Sequence, residues 1–500
     1  MMDCKKRFLL ILLGCMAGLA LYAQFPKHEV RAAWVTAVYG LDWPRTRATT
    51  PEAVRRQQAE LTDILDRLKA AHFNTVLFQT RTRGDVLYRS DIEPFNAILT
   101  GEPGGDPGYD PLAFAVEECH KRGMECHAWM VAIPLGNRKH VASLGKESVT
   151  KKHPDLCVLY KRSYYLNPGH PQAKEYLMSL VREVVERYDI DGVHFDYLRY
   201  PTRPLRFPDR YDFRKYGQGR TLDQWRRDNL TEIVRYLYAG VKSLKPWVKV
   251  STCPVGKYRD TSRYSSKGWN AFHSVYQDVQ GWLGEGIQDQ IYPMTYFQGN
   301  NFYPFVLDWK EQSNGRQVIP GLGIYFLDPA EGDWTVDEVE RQIHFTRAHH
   351  LDGQGHYRVK YLMGNTQGLY DILTSEYYPY PALQPALKWL DSIPPAAPAQ
   401  LQVIPLQEGY WRLAWKASAD NDTLNAPQYV VYASDTCPVD TQNPANILAA
   451  GVRDTSYVYA PLLPWTVRRY FAVTAVDRYG NESEACQLVP ALPVCPSAVR

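Results

Sequence analysis

Apolar residues recur with two different spacings between Val30 and Ser375. Short runs that alternate between apolar and polar residues, or that are apolar throughout, are typical of buried β-strands. Between them lie longer stretches in which apolar residues recur every three or four positions, which is typical of amphipathic helices. The regular exchange of the two patterns predicts an α/β domain.

The predicted strands are Val30–Val38, Asn74–Thr80, Glu125–Val131, a central strand within Asp191–Pro201, Val248–Cys253, Gln288–Tyr296, Val318–Phe326 and Gly353–Leu362. The predicted helices are one that opens at Pro51, then Asp110–Arg122, Pro171–Tyr188, Thr221–Leu244, one around Trp282, Val336–His349 and Leu369–Ser375. About eight strand–helix units within roughly 350 residues have the size and rhythm of a (β/α)8 TIM barrel with long loops. We therefore predict such a barrel over residues 28–392. A doubly wound open sheet is the alternative, but no Gly-x-Gly-x-x-Gly motif follows the first strand.

The pattern changes after a linker of proline and alanine at residues 393–399. Beyond the linker apolar and polar residues alternate, as in Trp411–Trp415, Tyr429–Tyr432 and Tyr470–Asp477. Residues 400–492 are therefore predicted to form an all-β sandwich. This segment closely resembles a fibronectin type III domain, a module that spaces or docks rather than catalyses.

The N-terminus is predicted to be a secretion signal over residues 1–23. Three basic residues at positions 5–7 precede an apolar run over residues 8–21, and Ala23 is a small residue before the expected cleavage point. The less favoured alternative is a lipoprotein signal with lipidation at Cys15, because the residues after that cysteine stay apolar. No later stretch reaches the ~20 apolar residues of a membrane span. We expect an exported protein, either periplasmic or associated with the outer membrane.

Composition and charge narrow the function. The 500 residues carry a formal net charge of only +3, and no block of Lys and Arg follows the first few residues, which argues against a nucleic-acid platform. The 35 Tyr and 13 Trp residues supply flat rings of the kind that stack on sugars, although most should lie in the core. Removal of the signal leaves seven scattered cysteines without a CxxC motif or a disulfide framework. We expect them to be packing residues, and an oxidising compartment would allow one or two bridges.

The central strand carries the strongest candidate for catalysis. Val193, Phe195 and Tyr197 alternate with His194 and Asp196, so a carboxylate stands at the C-terminal end of the strand. In a parallel barrel that end is where the loops converge and where chemistry is built. The alternative is that Asp196 only caps the following loop, as Asp often does. The Tyr and Arg residues that crowd the same junction favour a catalytic role.

Other polar and aromatic side chains are expected at the same face, because they too follow predicted strands. The candidate substrate-binding residues are Gln79, Arg81, His127, Trp129, Asn167, His194, Arg199, Tyr296 and Tyr325. Asp85, close to Arg81 in the sequence, is a candidate second carboxylate. An Arg beside an Asp would lower the pKa of the carboxyl and keep it ionised. Aromatic rings around a carboxylate would build a sugar subsite.

A series of motifs in the chain resembles, in order, the glycosyl-hydrolase-like family 10 over about residues 30–390. These motifs are Arg31–Val35, Leu41–Pro44, Asn74–Gln79, His120–Gly123, His127–Trp129, Leu166–Gly169, Asp191–Pro201 and Trp225–Arg227. The family consists of bacterial envelope proteins, and the resemblance implies cleavage of peptidoglycan glycan strands. Two positions depart from its pattern. Tyr197 stands where a second acidic residue is common, and Pro293–Phe297 replaces Pro-Gln-x-Tyr-Trp.

A second resemblance is to the family-18 chitinases. Asp191–Asp196 is similar to their Asp-Gly-x-Asp-x-Asp-x-Glu strand and Met294–Tyr296 to their Met-x-Tyr, but Leu198 stands where their acid is Glu. Leu cannot donate a proton, and glycoside cleavage requires two carboxyl groups, or one carboxyl helped by the acetamido group of the substrate. Another loop must then supply a second carboxylate. Asp85 is the favoured candidate, and Glu93 and Asp260 are less favoured.

We therefore predict an exported glycoside hydrolase of O-glycosyl bonds, with peptidoglycan strands of N-acetylhexosamine type as the favoured glycan. Asp196 is the predicted nucleophile or electrostatic stabiliser and Asp85 the predicted acid/base, while Arg81 and His194 tune and orient them. The chemistry requires no metal and no cofactor. The expected partner is a carbohydrate and not a nucleic acid, and we expect a monomer peripheral to the cell envelope. The alternatives are a catalytically degenerate barrel that binds glycans and a hydrolase of a dietary or host polysaccharide.

Overall fold

The computed structural model describes residues 25–202, 206–266, 268–406, 410–422, 424–461 and 468–487. The chain divides into two compact units, Val30–Ile372 and a second unit made of Leu373 onward together with the residues up to Glu29. The predicted signal segment 1–23, with Cys15, lies outside the described residues. Among the described helices, none is both long and apolar enough to cross a membrane.

The strands of the first unit are, in chain order, β1 (Val30–Val35), β2 (Thr75–Arg81), β3 (Glu125–Val131), β4 (Pro134–Asn137), β5 (Cys157–Tyr160), β6 (Ser163–Leu166), β7 (Gly192–Asp196), β8 (Lys249–Thr252), β9 (Gln290–Ile291), β10 (Gln317–Val318), β11 (Gly321–Leu322) and β12 (Gly353–His356). All except β4, β5 and β6 join one sheet in the order β10-β9-β8-β7-β3-β2-β1-β12-β11. Its strand pairs are parallel. Their C-terminal ends therefore meet on one face.

The sheet closes on itself because β10 and β11 are two parts of one strand, separated only by Ile319 and Pro320. β10 pairs with β9 and β11 pairs with β12, while Gly321 is bridged to both Met294 and Gly355. Proline has no backbone N–H to donate, which accounts for the interruption. The result is a TIM-barrel-like α/β domain in which β10 and β11 share one position.

The helices of this unit are α1 (Pro51–Ala70), α2 (Pro111–Lys121), α3 (Arg138–Ser143), α4 (Val149–Lys152), α5 (Ala173–Arg187), α6 (Arg210–Tyr216), α7 (Leu222–Leu244), α8 (Ala271–Ser274), α9 (Val279–Gly284), α10 (Tyr303–Glu311), α11 (Val336–Ala348), α12 (Val359–Met363) and α13 (Leu369–Ile372). Short 3₁₀ turns cover Val38–Gly40, Gly145–Glu147, Pro154–Leu156, Gly299–Asn301, Ile324–Leu327 and Thr366–Gly368. Local sequence explains where two long helices begin. The Thr50 hydroxyl caps α1 and the Asp110 carboxylate caps α2, each just before a proline at the first helical position.

Aromatic side chains fill the interior of the barrel. Trp34 of β1 is 1% exposed, and its ring meets that of Tyr292 edge-on with centroids 5.8 Å apart. Gly355 on β12 leaves room for this indole, because a Cβ there would lie 2.6 Å from it. The indole N–H donates to Nε2 of His194 at 3.3 Å. The interior is thus a packed core, and space for a substrate remains only at the ends of the strands.

An excursion between β3 and β7 forms a small lobe over Pro134–Leu166, which we call the hairpin lobe. Its strands make an antiparallel sheet in the order β4-β6-β5, and Lys161 and Arg162 form the two-residue turn between β5 and β6. The hydrophobic pattern does not predict this lobe, because strands of four residues are too short to show a period. Since the lobe follows the C-terminal end of β3, it stands at the face where the parallel strands end.

The strands of the second unit are β13 (Ala399–Pro405), β14 (Trp411–Lys416), β15 (Gln428–Ser434), β16 (Ile447–Val452), β17 (Ser456–Tyr459), β18 (Tyr470–Val476) and β19 (Cys486–Gln487), with a 3₁₀ turn at Pro444–Asn446 and a π turn at Leu373–Tyr377. They form two antiparallel sheets, β13-β14-β17 and β16-β15-β18-β19. Side chains of both sheets share one buried cluster that includes Leu413, Trp415 and Phe471. Lys27 and Glu482 form a buried ion pair of 2.5 Å, which ties the residues before β1 to this unit.

Strands on one side of the barrel are shorter than the hydrophobic pattern predicts. Of the predicted strand Gln288–Tyr296 only the two residues of β9 form a strand. The predicted strand Val318–Phe326 is replaced by the two short strands β10 and β11. Pro293 and Pro320 lie within these two stretches and cannot continue a ladder of backbone hydrogen bonds. Gly353–Leu362 ends as a strand at β12 and continues as the helix α12. The predicted linker at 393–399 stays a prediction, and the compact units divide before Leu373.

A chain truncated after Asp391 is expected to fold and to keep hydrolase activity, because every barrel strand and Asp196 precede Ile372. Its melting temperature is expected to fall, since Glu482, the buried partner of Lys27, is removed. Thermal unfolding and glycan hydrolysis, measured beside the full chain, test both parts. An insoluble or inactive truncated protein would show that the barrel depends on the C-terminal sheets.

Candidate active site

Asp196 ends β7, and the chain turns away from the sheet at the next residue. Tyr197 has a φ of 50°, in the left-handed region, and its backbone N–H donates to Oδ1 of Asp196 at 2.6 Å. Nε1–H of Trp129, on the neighbouring strand β3, donates to Oδ2 at 3.3 Å. The residue is 6% exposed. Two neutral N–H donors therefore hold a buried carboxylate at the C-terminal face.

Burial raises the pKa of the Asp196 carboxyl above its usual value. The nearby Arg199 guanidinium and hydrogen bonds from Cys253, Tyr197 and Trp129 act in the opposite direction and limit the increase. A carboxyl with a raised pKa retains its proton closer to neutral pH, and this is the property that a general acid needs. The environment of Asp196 thus differs from that of a surface cap.

Asp196 lies in a cleft of about 500 Å³ at the C-terminal face of the barrel. The residues that line the cleft are Thr36, Val38, Tyr39, Gln79, Thr82, Arg83, Trp129, Val131, Pro134, Gly136, Asn137, Ser163, Tyr165, Asp196, Tyr197, Arg199, Tyr200, Pro201, Thr202 and Tyr357. They come from the ends of β1, β2, β3, β7 and β12 and from the hairpin lobe. Among these described lining residues Asp196 is the one acid, and Arg83 and Arg199 are the basic residues.

Tyrosines form one wall of the cleft. Tyr357 follows β12 and lines the cleft, and its ring stacks on that of Tyr296 with centroids 5.4 Å apart and an interplanar angle of 23°. Tyr325 packs edge-on against both rings. Burial raises the pKa of Tyr296 well above its usual value and that of Tyr325 to about 12, so both hydroxyls keep their protons. The predicted residues Tyr296 and Tyr325 therefore support the wall from behind.

Two stacks of arginine on aromatic rings stand at the rim of the cleft. The Arg199 guanidinium lies 4.5 Å from the ring centroid of Tyr197 and 5.3 Å from that of Trp269. Arg83 lies 4.4 Å from the ring centroid of Tyr39 and donates to its hydroxyl. Tyr197 is 44% exposed and Tyr39 is 71% exposed, so both rings can stack on a sugar.

Gln79 lines the cleft, but its amide oxygen serves the backbone. This oxygen accepts from the N–H groups of Ala37 at 2.9 Å and Val38 at 2.8 Å. Gln79 thereby holds the loop after β1 against the end of β2. Trp129 both lines the cleft and contacts Asp196. The structure thus brings three predicted residues together in the cleft, namely Trp129, Asp196 and Arg199.

Arg81 and Glu93 form an ion pair in which both side chains are fully buried. Nε and an Nη of Arg81 donate to the two carboxylate oxygens at 2.8 and 2.6 Å, and the Tyr176 hydroxyl donates to the same carboxylate at 2.7 Å. Arg81 also donates to the carbonyls of Val131 and Ala132. Arg81 and Glu93 do not line the cleft, because they satisfy each other beneath it.

Asp85 lies in a second pocket of about 250 Å³ that borders the cleft. Its oxygens accept from the Thr82 hydroxyl, from the Arg83 N–H at 3.1 Å and from the Asn96 amide at 2.9 Å. Nε2 of His140 lies 3.5 Å from the carboxylate. Asp85 is 1% exposed and does not line the cleft itself. The two candidate carboxylates therefore occupy adjoining pockets.

The other predicted polar residues lie away from the cleft. His194 faces the barrel interior, where its Nδ1 is 2.9 Å from Oγ of Ser251, and burial lowers the pKa of this imidazole well below its usual value. His127 is paired in register with the first residue of β7 and so lies toward the opposite end of the barrel. Asn167 donates to Asp212 at 2.8 Å. Asp260, one of the two less favoured candidates for the second carboxylate, accepts from the Ser265 hydroxyl and the Ser266 backbone N–H on the surface.

Sequence reasoning missed Tyr357, Tyr39, Arg83 and Trp269. Tyr357 had a usable signal, because it follows a glycine-rich strand, but the predicted strand Gly353–Leu362 ran through it. Tyr39 and Arg83 belong to loops whose sequences show no period. Among the described residues, no group of three or more His, Cys, Asp or Glu side chains is arranged to hold a metal ion. The described cysteines, Cys119, Cys126, Cys157, Cys253, Cys437 and Cys486, are free thiols.

A TIM-barrel-like domain with a buried carboxylate at the end of a central strand, set in an aromatic cleft, is an arrangement on which glycoside hydrolases build their active sites. Residues 29–326 match the family described as Glycosyl hydrolase-like 10. The chain belongs to this family and is a glycoside hydrolase.

Relatives of known name agree with this family. The chain is 32% identical over 483 residues to the Glycosyl hydrolase YngK of Bacillus subtilis, which covers 92% of each chain. It is 34% identical over 293 residues to the Glycosyl hydrolase DigH of Escherichia coli, which covers 55% of this chain and 67% of that protein. The solved PgaB (BpsB) glycoside hydrolase domain from Bordetella bronchiseptica matches with a TM-score of 0.50 at 14% identity, over 70% of this chain and 99% of that one. This last likeness concerns the fold alone.

The buried ion pair of Arg81 generates a stability prediction. Glu93→Gln is expected to lower the free energy of unfolding by about 3–5 kcal/mol, because it leaves the Arg81 charge buried without its partner. The matched control is Glu52→Gln, which breaks an exposed pair with Arg55 and should cost less than about 1 kcal/mol. Urea unfolding followed by tryptophan fluorescence measures both. Equal effects of the two substitutions would contradict the structural role of the Arg81–Glu93 pair.

A second prediction concerns pH and His194. Its pKa in the folded protein is depressed below the ordinary 6.5, so the unfolded chain binds a proton that the folded chain does not. The free energy of unfolding therefore has its full value above pH 6.5. As the pH falls below 6.5, this free energy decreases by up to about 1.4 kcal/mol per pH unit. His194→Gln should flatten this slope, whereas His349→Gln on the surface should not. Unfolding free energies between pH 5 and 8, with equal slopes in all three proteins, would refute the assignment.

Proposed function

We propose that the protein is exported and hydrolyses glycosidic bonds in a glycan of N-acetylhexosamine units, with peptidoglycan strands as the natural substrate. The observation that carries the proposal is the composition of the cleft, in which Asp196 is the one acid among the described lining residues. One established group of glycosidases has no carboxylate nucleophile at the bond and uses the acetamido group of the substrate as the internal nucleophile. A single carboxyl thus favours an N-acetylated sugar.

In this mechanism the acetamido oxygen attacks the anomeric carbon while Asp196 donates its proton to the leaving oxygen. The raised pKa of the buried carboxyl supports this role, because the acid must hold its proton until the bond breaks. Water then opens the cyclic intermediate and returns a proton to Asp196. The N–H groups of Trp129 and Tyr197 keep the carboxylate in one orientation through both steps.

A two-carboxylate mechanism is the second candidate. Here Asp196 acts as nucleophile or electrostatic stabiliser and Asp85, from the adjoining pocket, as acid/base. The position of Asp85 in a pocket that borders the cleft favours this version. Nε2 of His140 lies 3.5 Å from the carboxylate but closer, at 3.0 Å, to the Arg83 carbonyl. The three hydrogen bonds that Asp85 accepts weigh against this version, because they hold the carboxylate within its own loop.

The exposed rings at the rim suit a polymer of sugars. Tyr197 and Tyr39 are exposed on the cleft, and Trp129 and Tyr357 line it. Such rings cover the apolar faces of hexoses at little cost in side-chain entropy. Peptidoglycan is favoured by the predicted signal over residues 1–23 and by the resemblance of the chain motifs to bacterial envelope proteins.

We also assign residues 400–492 to a fibronectin type III domain that spaces or docks the barrel. The assignment is supported by two antiparallel sheets of three and four strands, β13-β14-β17 and β16-β15-β18-β19, which is the arrangement expected of a small sandwich. The buried cluster shared by the two sheets also supports it. No catalytic role is proposed for this domain.

Asp196→Asn is expected to lower turnover by about 10²- to 10⁴-fold, because it removes the proton donor and keeps the shape of the side chain. Asp85→Asn separates the two mechanisms. It should leave turnover within about tenfold of the wild type if the acetamido group assists, and should match the loss of Asp196→Asn if Asp85 is the acid/base. Reducing ends released from denuded peptidoglycan strands measure turnover, and circular dichroism confirms folding.

De-N-acetylated strands provide the matched substrate control. The wild type is expected to cleave them at less than about 1% of the rate on acetylated strands, since the internal nucleophile is missing. Equal rates on both substrates would reject acetamido assistance. A folded and fully active Asp196→Asn protein would instead show that Asp196 only caps the loop.

A further inference from the structure

The hairpin lobe, Pro134–Leu166, concentrates positive charge. It contains seven Lys and Arg residues against two acidic residues, a net charge of +5, whereas the whole chain carries only +3. The remainder of the chain is therefore slightly acidic. A charge excess confined to one small lobe creates a local positive potential that the overall balance conceals.

Four of these cations converge where the lobe meets the cleft. Asn137 and Ser163 line the cleft and are register partners of β4 and β6. Arg138 directly follows Asn137, and Arg162 directly precedes Ser163; the Arg138 N–H donates to the Arg162 carbonyl at 3.2 Å. Lys139 and Lys161 are the next residues on either side. The four residues Arg138, Lys139, Lys161 and Arg162, which we call the lobe cations, are all exposed.

The lobe cations are not neutralised by the protein. Within the part of the chain that the structure describes, no acidic side chain forms an ion pair with any of the four. The acidic residues of the lobe lie elsewhere, and Glu147 pairs with Lys152 at 2.8 Å. The charge of the lobe cations therefore remains available to a ligand.

The two-residue turn between β5 and β6 consists of two cations, although its backbone geometry favours other residue types. Lys161 and Arg162 have φ values of 46° and 70°, the two left-handed positions of a two-residue hairpin turn. Asn and Gly are the residues that adopt this conformation most readily. Nζ of Lys161 lies 5.3 Å from the ring centroid of Tyr160, but among the described residues no acidic side chain pairs with Lys161 or Arg162. Because neither cation gains an acidic partner that would offset the backbone strain, the two charges point to a role outside the fold.

The cleft itself continues the positive surface. Arg83 and Arg199 line it, and one Nη of Arg199 is buried without a hydrogen-bond partner. Asp196 is the one acid there among the described lining residues. Positively charged side chains thus extend from Arg199 and Arg83, which line the cleft with Asp196, to the lobe cations at its edge.

We infer that the lobe cations form a second binding site beside the cleft, which binds the carboxylates of an acidic glycan on the part of the strand that extends beyond the cleaved bond. The inference rests on the proposed function and adds to it a site outside the cleft. A neutral glycan would gain nothing from unpaired cations beside the cleft, whereas repeated carboxylates along a strand would meet them in sequence. The aromatic rim holds the sugar rings, and the arginines and lysines recognise their charged groups.

The test uses two probes that differ only in charge. Denuded peptidoglycan strands carry lactyl groups that end in free carboxylates, and conversion of these carboxylates to amides makes the same strands neutral. Affinities are measured by fluorescence anisotropy of labelled strands with the full chain carrying Asp196→Asn, so that hydrolysis does not interfere. The charged strands are expected to bind about tenfold more tightly, and the difference should vanish near 1 M salt, where the Debye length is about 3 Å.

The lobe variant is Lys161→Asn with Arg162→Gly, which removes two charges and inserts the residues that this turn prefers. It should fold at least as well as the parent and bind charged strands about tenfold more weakly, with no change on amidated strands. The matched control, Lys121→Gln with Arg182→Gln, removes two exposed cations from the outer helices α2 and α5 and should change neither affinity.

The outcomes separate the inference from the proposed function. Equal affinity for charged and amidated strands, or equal losses in the lobe and control variants, would overturn the acidic-glycan assignment even if the wild type cleaves both strands. Charge-dependent binding that the lobe variant abolishes would support the assignment, and a wild type that cleaves neither strand would then count against the proposed hydrolysis alone.

Discussion

Closure of the parallel sheet is the constraint on which the site depends. In an open sheet β7 and β12 would lie four strands apart, about 19 Å at ordinary strand spacing. The junction at Gly321, bridged to Met294 on one side and to Gly355 on the other, turns the sheet into a barrel. Asp196 and Tyr357, which end β7 and follow β12, then line one cleft.

Buried charged side chains of the barrel differ in whether an ion-pair partner neutralises them. Arg81 is neutralised by Glu93, and Asp42 by Arg358 at 2.6 Å, so these groups are satisfied within the fold. Asp196 is instead held by neutral N–H donors, and burial raises its pKa. A carboxylate that is buried without an ion pair destabilises the folded state, and Asp196 is such a carboxylate at a place that a substrate can reach, the cleft. The lack of an ion pair distinguishes Asp196 from Arg81 and Asp42, and its position in the cleft distinguishes it from Asp85.

Much of the barrel and part of the site could be predicted from the sequence. The long helices and the strands β2, β3 and β7 follow from apolar periods that run over several turns or residues. Asp196, Trp129 and Arg199 were predicted together because each lies at or just past a strand end, and parallel strands bring those ends to one face. The hairpin lobe was missed, since its strands have four residues each, and the positive charge it brings to the cleft was missed with it.

By itself the sequence determined the rhythm of strands and helices, the change of period after residue 399 and the position of Asp196 at the end of a buried strand. These are local properties, readable from neighbours along the chain. Only the tertiary structure decided that Arg81 pairs with Glu93, that Asp85 occupies an adjoining pocket and that Tyr357 reaches the cleft. The reason is physical: the partner of a polar side chain depends on strand pairing and loop paths that join residues far apart in sequence, and local patterns carry no record of them.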